Sequence, residues 1–132
     1  EALQVIGKDA PIEYVLHEAA SRMVRFFLSE FGQQVFRTCV AESYRFPEIG
    51  RRFYESGPAL MRERMSGVLR PYVDSGILKI DDMDLAAYQF GELCKSDLFV
   101  RRLCGVAGKI DDADIERVVT GAVEMFLARY KA

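Results

Sequence analysis

Two segments of the chain, thirty residues apart, carry the same pattern of a helix start: Ile-Asp-Asp-Met-Asp-Leu at 80–85 and Ile-Asp-Asp-Ala-Asp-Ile at 110–115. An aspartate before a helix accepts hydrogen bonds from backbone N–H groups that the first turn leaves unpaired. The pattern predicts Asp81 and Asp111 as N-caps. Asp84 and Asp114 then fall at the third helical position, as in a capping box. Two capped helices in succession predict an antiparallel pair of long helices at the end of the chain.

These two helices are apolar over more surface than one neighbour can cover. The stripe of the last helix spreads over roughly 200° of the helical wheel, whereas one packed layer needs about 100°. The preceding helix, expected from about Asp82 to Cys104, carries two apolar rows. Either both helices are internal to one domain, or one row contacts a second subunit in a four-helix interface. For that homodimer interface the sequence proposes Phe90, Leu98, Val119, Ala122 and Phe126.

Composition excludes several classes of protein. The chain has 132 residues, enough for one domain with a real core, and a net charge of −2 that gives no general attraction to nucleic acid. No apolar stretch approaches the roughly 20 residues of a membrane span. Three cysteines without a Cys-x-x-Cys spacing predict free thiols and a cytoplasmic location. Because the chain begins with Glu1 and not Met, we expect it to be a fragment or a processed product of a longer protein.

The remaining signals are helical. Apolar residues recur at helical spacing from Pro11 to about Ser29, and the second helix should stop before Phe46-Pro47, where proline disfavours helical angles at its predecessor. Pro47 and Pro58 each suit the first position of a further helix. No alternating strand pattern is present. The sequence therefore predicts an all-α bundle of about six helices, with residues 1–132 forming a single domain.

No residue set in the chain demands catalysis, a cofactor or a metal ion. His17 is the only histidine, and it lies opposite the apolar stripe of its helix. No catalytic or nucleotide-binding motif appears. Aromatic and methionine residues are more often plain core, but Pro71 should bend the helix that begins at Pro58 and leave room beside the bend. We therefore predict a cavity for a small apolar or aromatic ligand, lined by Phe26, Phe27, Met61, Met65 and Tyr72.

The segment Val-Ala-Glu-Ser-Tyr-Arg-Phe-Pro-Glu-Ile at 40–49, followed by Phe53 and Gly57, resembles the C-terminal regulatory domain of TetR-family transcriptional repressors, in particular the AefR-like subgroup. The Asp-Ser-Gly-Ile-Leu segment at 74–78 and the capped helix after it also suit that family. The likeness extends over about residues 11–131.

The resemblance implies a homodimer formed by the last two long helices and a ligand cavity enclosed by the earlier ones. It also implies an N-terminal helix-turn-helix domain that binds operator DNA. Nothing in residues 1–30 matches such a domain, so it is expected to be absent from this chain. In the intact repressor, ligand binding would then shift the helix at 11–29 and release DNA. Two other classes stay open, a stand-alone helical dimerisation or adaptor module without a ligand, and a small-molecule enzyme with unrecognised catalytic residues.

Overall fold

The computed structural model describes residues 10–132, and all regular structure in that range is helical. The all-α prediction is confirmed. Seven helices are described, one more than expected, because the helix predicted over 82–104 is divided in two. They are α1 (Ile12–Leu28), α2 (Glu30–Glu42), α3 (Pro47–Ser56), α4 (Pro58–Asp74), α5 (Met83–Leu93), α6 (Leu98–Leu103) and α7 (Asp112–Tyr130).

The core lies where α1, α4, α5 and α7 meet. α1 runs along α7, and α5 packs between α4 and α7. Phe90 of α5 meets Phe126 of α7 edge-to-face, with ring centroids 5.3 Å apart. The largest fully buried side chains of these helices also include Leu16, Met65 and Leu69. None of the helices in residues 10–132 has the length and apolar character that a membrane span requires.

The two predicted helix starts differ in outcome. At α7 the capping box forms as expected: Asp111 accepts from the Asp114 amide, and the Asp114 side chain accepts from the Asp111 amide. At α5 the predicted cap is wrong by one residue. The N-cap is Asp82, whose Oδ1 accepts from the Leu85 amide at 3.0 Å. Because α5 starts at Met83, Asp84 occupies the second helical position, too early to complete a capping box.

The prediction of a continuous helix from Asp82 to Cys104 is also wrong. It breaks between Leu93 and Leu98, in a segment that we call the α5–α6 junction (residues 94–97). Asp97 has φ 66° and ψ −69°, and the Leu98 amide donates to the Ser96 carbonyl at 2.7 Å. This is a γ-turn with positive φ at its central residue, a conformation that costs on the order of 1–3 kcal/mol for a residue other than glycine. Sequence periodicity cannot reveal the break, because the apolar spacing on both sides of it is helical.

Candidate functional site

An open groove lies between α2 and α3. It has a volume of about 330 Å³, which is at the lower end of the range for small-molecule sites. Its wall is mainly apolar, with polar groups at the edge. The residues that line this α2–α3 groove are Phe31, Gln34, Val35, Thr38, Cys39, Ile49, Arg52, Phe53 and Ser56.

The groove is apolar because α2 and α3 place little of their surface in the core. α3 has no fully buried residue, and α2 has only Gly32 and Gln33. Phe31 is 68% exposed. The two helices are held close at their connection, where a Cβ on Gly50 would lie 2.9 Å from the Ser43 Cβ. A side chain at Gly50 would therefore push α3 away from α2 and widen the groove.

Phenylalanine rings connect the groove to the body of the protein. Phe53, in the groove wall, meets Phe36 at 6.1 Å between centroids, and Phe36 meets Phe99 of α6 at 5.1 Å. Phe99 in turn meets Phe27 of α1 at 5.8 Å. Edge-to-face pairs of this kind add to the stabilisation from buried area. The groove is thus the outer end of an aromatic cluster that reaches α1 and α6.

A lysine side chain fills the inner end of this cluster. The Lys95 Nζ lies 5.2, 5.9 and 5.5 Å from the ring centroids of Phe27, Phe36 and Phe99. We call these three rings the phenylalanine cage. An ammonium group this close to ring faces is attracted by the ring quadrupoles. The ammonium also pairs with Glu92 at 3.2 Å, so the cage is closed by a side chain of the α5–α6 junction.

Two chemically distinct groups lie in the groove wall. Arg52 is 80% exposed and pairs only loosely with Glu48, at 3.6 Å, so its guanidinium can reach an anionic or phenolic oxygen at the rim. Cys39 is a half-buried free thiol in the same wall. Cys94 differs, because burial raises the pKa of its thiol to about 12 and leaves it unreactive near neutral pH.

The five residues predicted for the ligand cavity are not brought together, and none lines the groove. Tyr72 donates a hydrogen bond to the Ala10 carbonyl before α1, whereas Phe26 and Phe27 are near the end of α1, roughly 24 Å away at 1.5 Å per residue. Met65 is fully buried in the core, Met61 lies against Gly91 of α5, and Phe26 is half exposed. These residues cannot surround one small molecule. Of the five, only Phe27 belongs to the aromatic cluster behind the groove.

The five residues predicted for the dimer interface lie in the core of the single chain. Their exposed fractions do not exceed 3%. Side chains already covered by their own chain have no surface left for a partner. These five side chains instead pack inside the chain, among α1, α5, α6 and α7. The residues are Phe90, Leu98, Val119, Ala122 and Phe126.

An outward face of α7 nevertheless remains apolar. Met125 is 65% exposed, Ala128 is also exposed, and a Cβ on Gly121 would meet no atom of the chain within 4 Å. These three residues share one side of the helix, beside the buried stripe. A glycine inside a helix costs about 1 kcal/mol relative to alanine. No contact within residues 10–132 explains why glycine, and not alanine, occupies position 121.

His17 has a structural role. Its Nε2 is 2.7 Å from Glu116 Oε2, which links α1 to α7, and this hydrogen bond is the main cause of the lowered pKa of the Glu116 carboxyl. Within residues 10–132 no group of three or more His, Cys, Asp or Glu side chains is arranged to hold a metal ion.

The aromatic lining of the groove was visible in the sequence only as composition. Phe31 and Phe53 line the groove and Phe36 lies behind Phe53, but the spacing of these aromatic residues does not separate a groove wall from a core. The available signal is the composition of α3, in which Ile49, Phe53 and Tyr54 are apolar and most other residues are charged or small.

Comparison with known proteins places the chain among transcriptional regulators. Residues 14–132 match the family described as AefR-like transcriptional repressor, C-terminal domain. A solved TetR-family regulator from Mesorhizobium loti MAFF303099 is 26% identical, with a TM-score of 0.82 over 95% of this chain and 62% of its own. The flavonoid-responsive regulator FrrA is 27% identical, with a TM-score of 0.86 over 98% of this chain and 67% of its own. A search of curated proteins finds no match. The chain therefore spans about two thirds of the length of these two structures.

Proposed function

Since the chain belongs to the AefR-like C-terminal domains of TetR-family transcriptional repressors, a family of regulators and not of enzymes, we propose that it senses a small molecule and dimerises. In the intact, cytoplasmic repressor, ligand binding to this domain lowers the affinity of an N-terminal helix-turn-helix domain for operator DNA. The observation that carries the ligand-sensing role is the apolar groove of about 330 Å³ between α2 and α3, with Arg52 at its rim.

The ligand that fits the groove is a flat aromatic molecule with oxygen substituents. Phe31, Val35 and Phe53 offer an apolar wall, and Arg52 offers a fixed positive charge to a phenolate or carboxylate. FrrA, which shares the fold, is named for its response to flavonoids. Hydroxylated flavonoids are therefore the first compounds to test.

Thermal unfolding and calorimetry with a panel of hydroxylated flavonoids test ligand binding. A ligand at a hundredfold excess over its Kd stabilises the folded state by about 2.7 kcal/mol. Val35→Trp should abolish this by filling the groove. Val40→Trp is the matched control, because Val40 is an exposed residue of α2 outside the groove lining. Binding that survives Val35→Trp, or a panel without any binder, would contradict the proposal and favour a dimerisation module without a ligand.

For the homodimer we propose the outward face of α7 that contains Gly121, Met125 and Ala128, in place of the buried residues predicted from the sequence. Glycine at 121 lets a second helix approach closely, and Met125 supplies exposed apolar area. Met125→Glu should convert a dimer into a monomer of 15.0 kDa in sedimentation without lowering protomer stability. Ala113→Glu, at an exposed position in the first turn of the same helix, is the control and should leave the dimer intact.

A further inference from the structure

The α5–α6 junction is the place where sequence pattern and structure disagree. In a continuous helix, an apolar row that includes Ala87, Phe90, Cys94 and Leu98 would share one side. The structure instead interrupts the helix with the strained γ-turn at Asp97. The chain thus carries the pattern of one long helix but folds with a break, and strain of this kind persists only where surrounding contacts impose it.

Three sets of contacts hold the break. Lys95 is held in the phenylalanine cage, which ties the junction to α1 and α2. The Asp97 carboxylate accepts hydrogen bonds from Arg101 Nε at 2.9 Å and from Arg117 Nη1 of α7 at 2.7 Å. Arg37 of α2 also donates to the Leu103 carbonyl at the end of α6. A continuous helix would keep the i,i+4 pair of Asp97 with Arg101, but it would move Lys95 away from the phenylalanine cage and Asp97 away from Arg117.

The same contacts connect the α5–α6 junction to the two surfaces to which we assign function, the α2–α3 groove and the outward face of α7. Phe36 belongs to the cage and meets Phe53 of the groove wall, so a ligand that moves Phe53 acts directly on the cage. Arg117 is 69% exposed and lies one turn before Gly121 on α7. The strained turn therefore lies between the groove and the outward face of α7.

We propose that residues 94–97 form a two-state hinge, in which an occupied α2–α3 groove opens the phenylalanine cage, frees Lys95 and Asp97, and lets α5 and α6 join into one helix. This regulation rests on the proposed function only in taking the groove as the ligand site. The coupling runs through the contact between Phe53 and Phe36, and it requires a ligand that binds the groove more tightly when the cage is open. Release of Asp97 frees Arg117 at the outward face of α7.

A tethered occupant tests the hinge without knowledge of the natural ligand. In a Cys104→Ser chain, benzyl methanethiosulfonate should modify Cys39 in the groove wall, since Cys94 is buried. NMR should then show backbone Cα shifts of residues 94–98 moving to helical values, with amide exchange there slowed about tenfold. The control tether, at Val40→Cys in a Cys39→Ser, Cys104→Ser chain, should leave these signals unchanged.

A pair of substitutions tests the two-state element itself. Asp97→Ala removes the carboxylate and leaves a residue that resists positive φ, so residues 94–98 should become helical without any tether. Asp97→Gly removes the same carboxylate but adopts positive φ at little cost, so the break should remain. If the loss of the ion pair with Arg117 were the only effect, the two variants would behave alike.

Turn-like shifts at 94–98 in a chain fully labelled at Cys39, or identical spectra of the Ala and Gly variants, would overturn the hinge. The two proposals fail separately. Helical shifts on labelling, together with no flavonoid binding, would leave the hinge standing and remove the proposed ligand class. Flavonoid binding with an unchanged junction would do the reverse.

Discussion

The α1–α5–α7 half of the molecule hides its apolar side chains, whereas the α2–α3 half leaves them at the surface. In the first half, seven residues of α7 and eight of α1 are buried. In the second, α3 has none, and Phe31, Val40 and Tyr44 are all more than 60% exposed. The α2–α3 half is also less apolar in sequence, with charged residues such as Arg51 and Arg52 in α3, so composition and packing both contribute to the difference. We therefore expect the first half to supply most of the stability and the second to open more readily.

Side chains of α2 and α3 join the two halves at several points, among them Tyr54, whose hydroxyl group meets that of Tyr88 in α5. The Gln33 Nε2 donates to the Phe27 carbonyl at 2.8 Å, and Phe36 meets Phe99. Ser29 ends α1 and begins α2, with its Oγ accepting from the Gly32 amide. A change at these points should alter how α2 and α3 are held without unfolding the α1–α5–α7 half.

The largest difference between the halves should appear on truncation of a phenylalanine in each. Phe126→Ala removes a ring that is 2% exposed and meets both Phe90 and Tyr130, and should cost about 3–5 kcal/mol of unfolding free energy. Phe53→Ala, in the half-buried groove wall, should cost about 1 kcal/mol or less. Urea unfolding measures both. Equal losses would mean that the α2–α3 half is part of the same core.

The next largest effect is expected at the attachment between the halves. Gln33→Glu keeps the shape of a side chain that is 4% exposed but replaces the donor to Phe27 with an acceptor. The new carboxylate and the Phe27 carbonyl would then be two buried acceptors without a donor. This should cost about 1–3 kcal/mol of unfolding free energy at neutral pH. Protonation of the new carboxyl restores a donor, so part of the loss should be recovered on acidification.

The control for that experiment is Gln34→Glu, which makes the same chemical change at an exposed neighbour. It should have little effect on unfolding at any pH. A Gln33→Glu chain as stable as Gln34→Glu at neutral pH would show that the hydrogen bond to Phe27 does not hold α2 in place.

Smaller effects are expected at the helix starts of the stable half. Asp111→Ala and Asp82→Ala each remove a side chain that accepts from a backbone amide of the first turn, and each should cost about 1 kcal/mol. Asp81→Ala should be nearly neutral, because α5 is capped by the next residue. Thermal unfolding of the three variants checks this order, and a loss at Asp81 equal to that at Asp82 would contradict it.

Local patterns in the sequence predicted most of the fold but not the placement of its sites. Capping aspartates, prolines at first helical positions and helical periodicity depend on neighbours in the chain, so they gave the class and most helix ends. The shift from Asp81 to Asp82 and the break at Asp97 depend on tertiary contacts, such as that between Asp97 and Arg117. For the same reason, apolar spacing could not separate a buried row such as Phe90 and Leu98 from an outward face.

The smallest effect concerns Asp97, in the α5–α6 junction. Hydrogen bonds from Arg101, and then from Arg117, hold the pKa of the Asp97 carboxyl below its usual value of 3.8. A carboxyl with a lowered folded-state pKa contributes stability above its unfolded value and loses it as the pH falls through the folded one. Acidification below about pH 4 should therefore weaken the ion pairs that Asp97 makes with Arg101 and Arg117. Asp97→Asn, which keeps the shape but not the charge, should flatten this part of the stability profile. High salt should reduce the difference in stability between the two proteins, since the ion pair is at the surface.

If the Asn variant loses stability with acid as steeply as the parent below pH 4, Asp97 does not contribute to acid sensitivity. Other paired carboxylates of the α1–α7 contact, such as Glu13 and Glu116, then account for it.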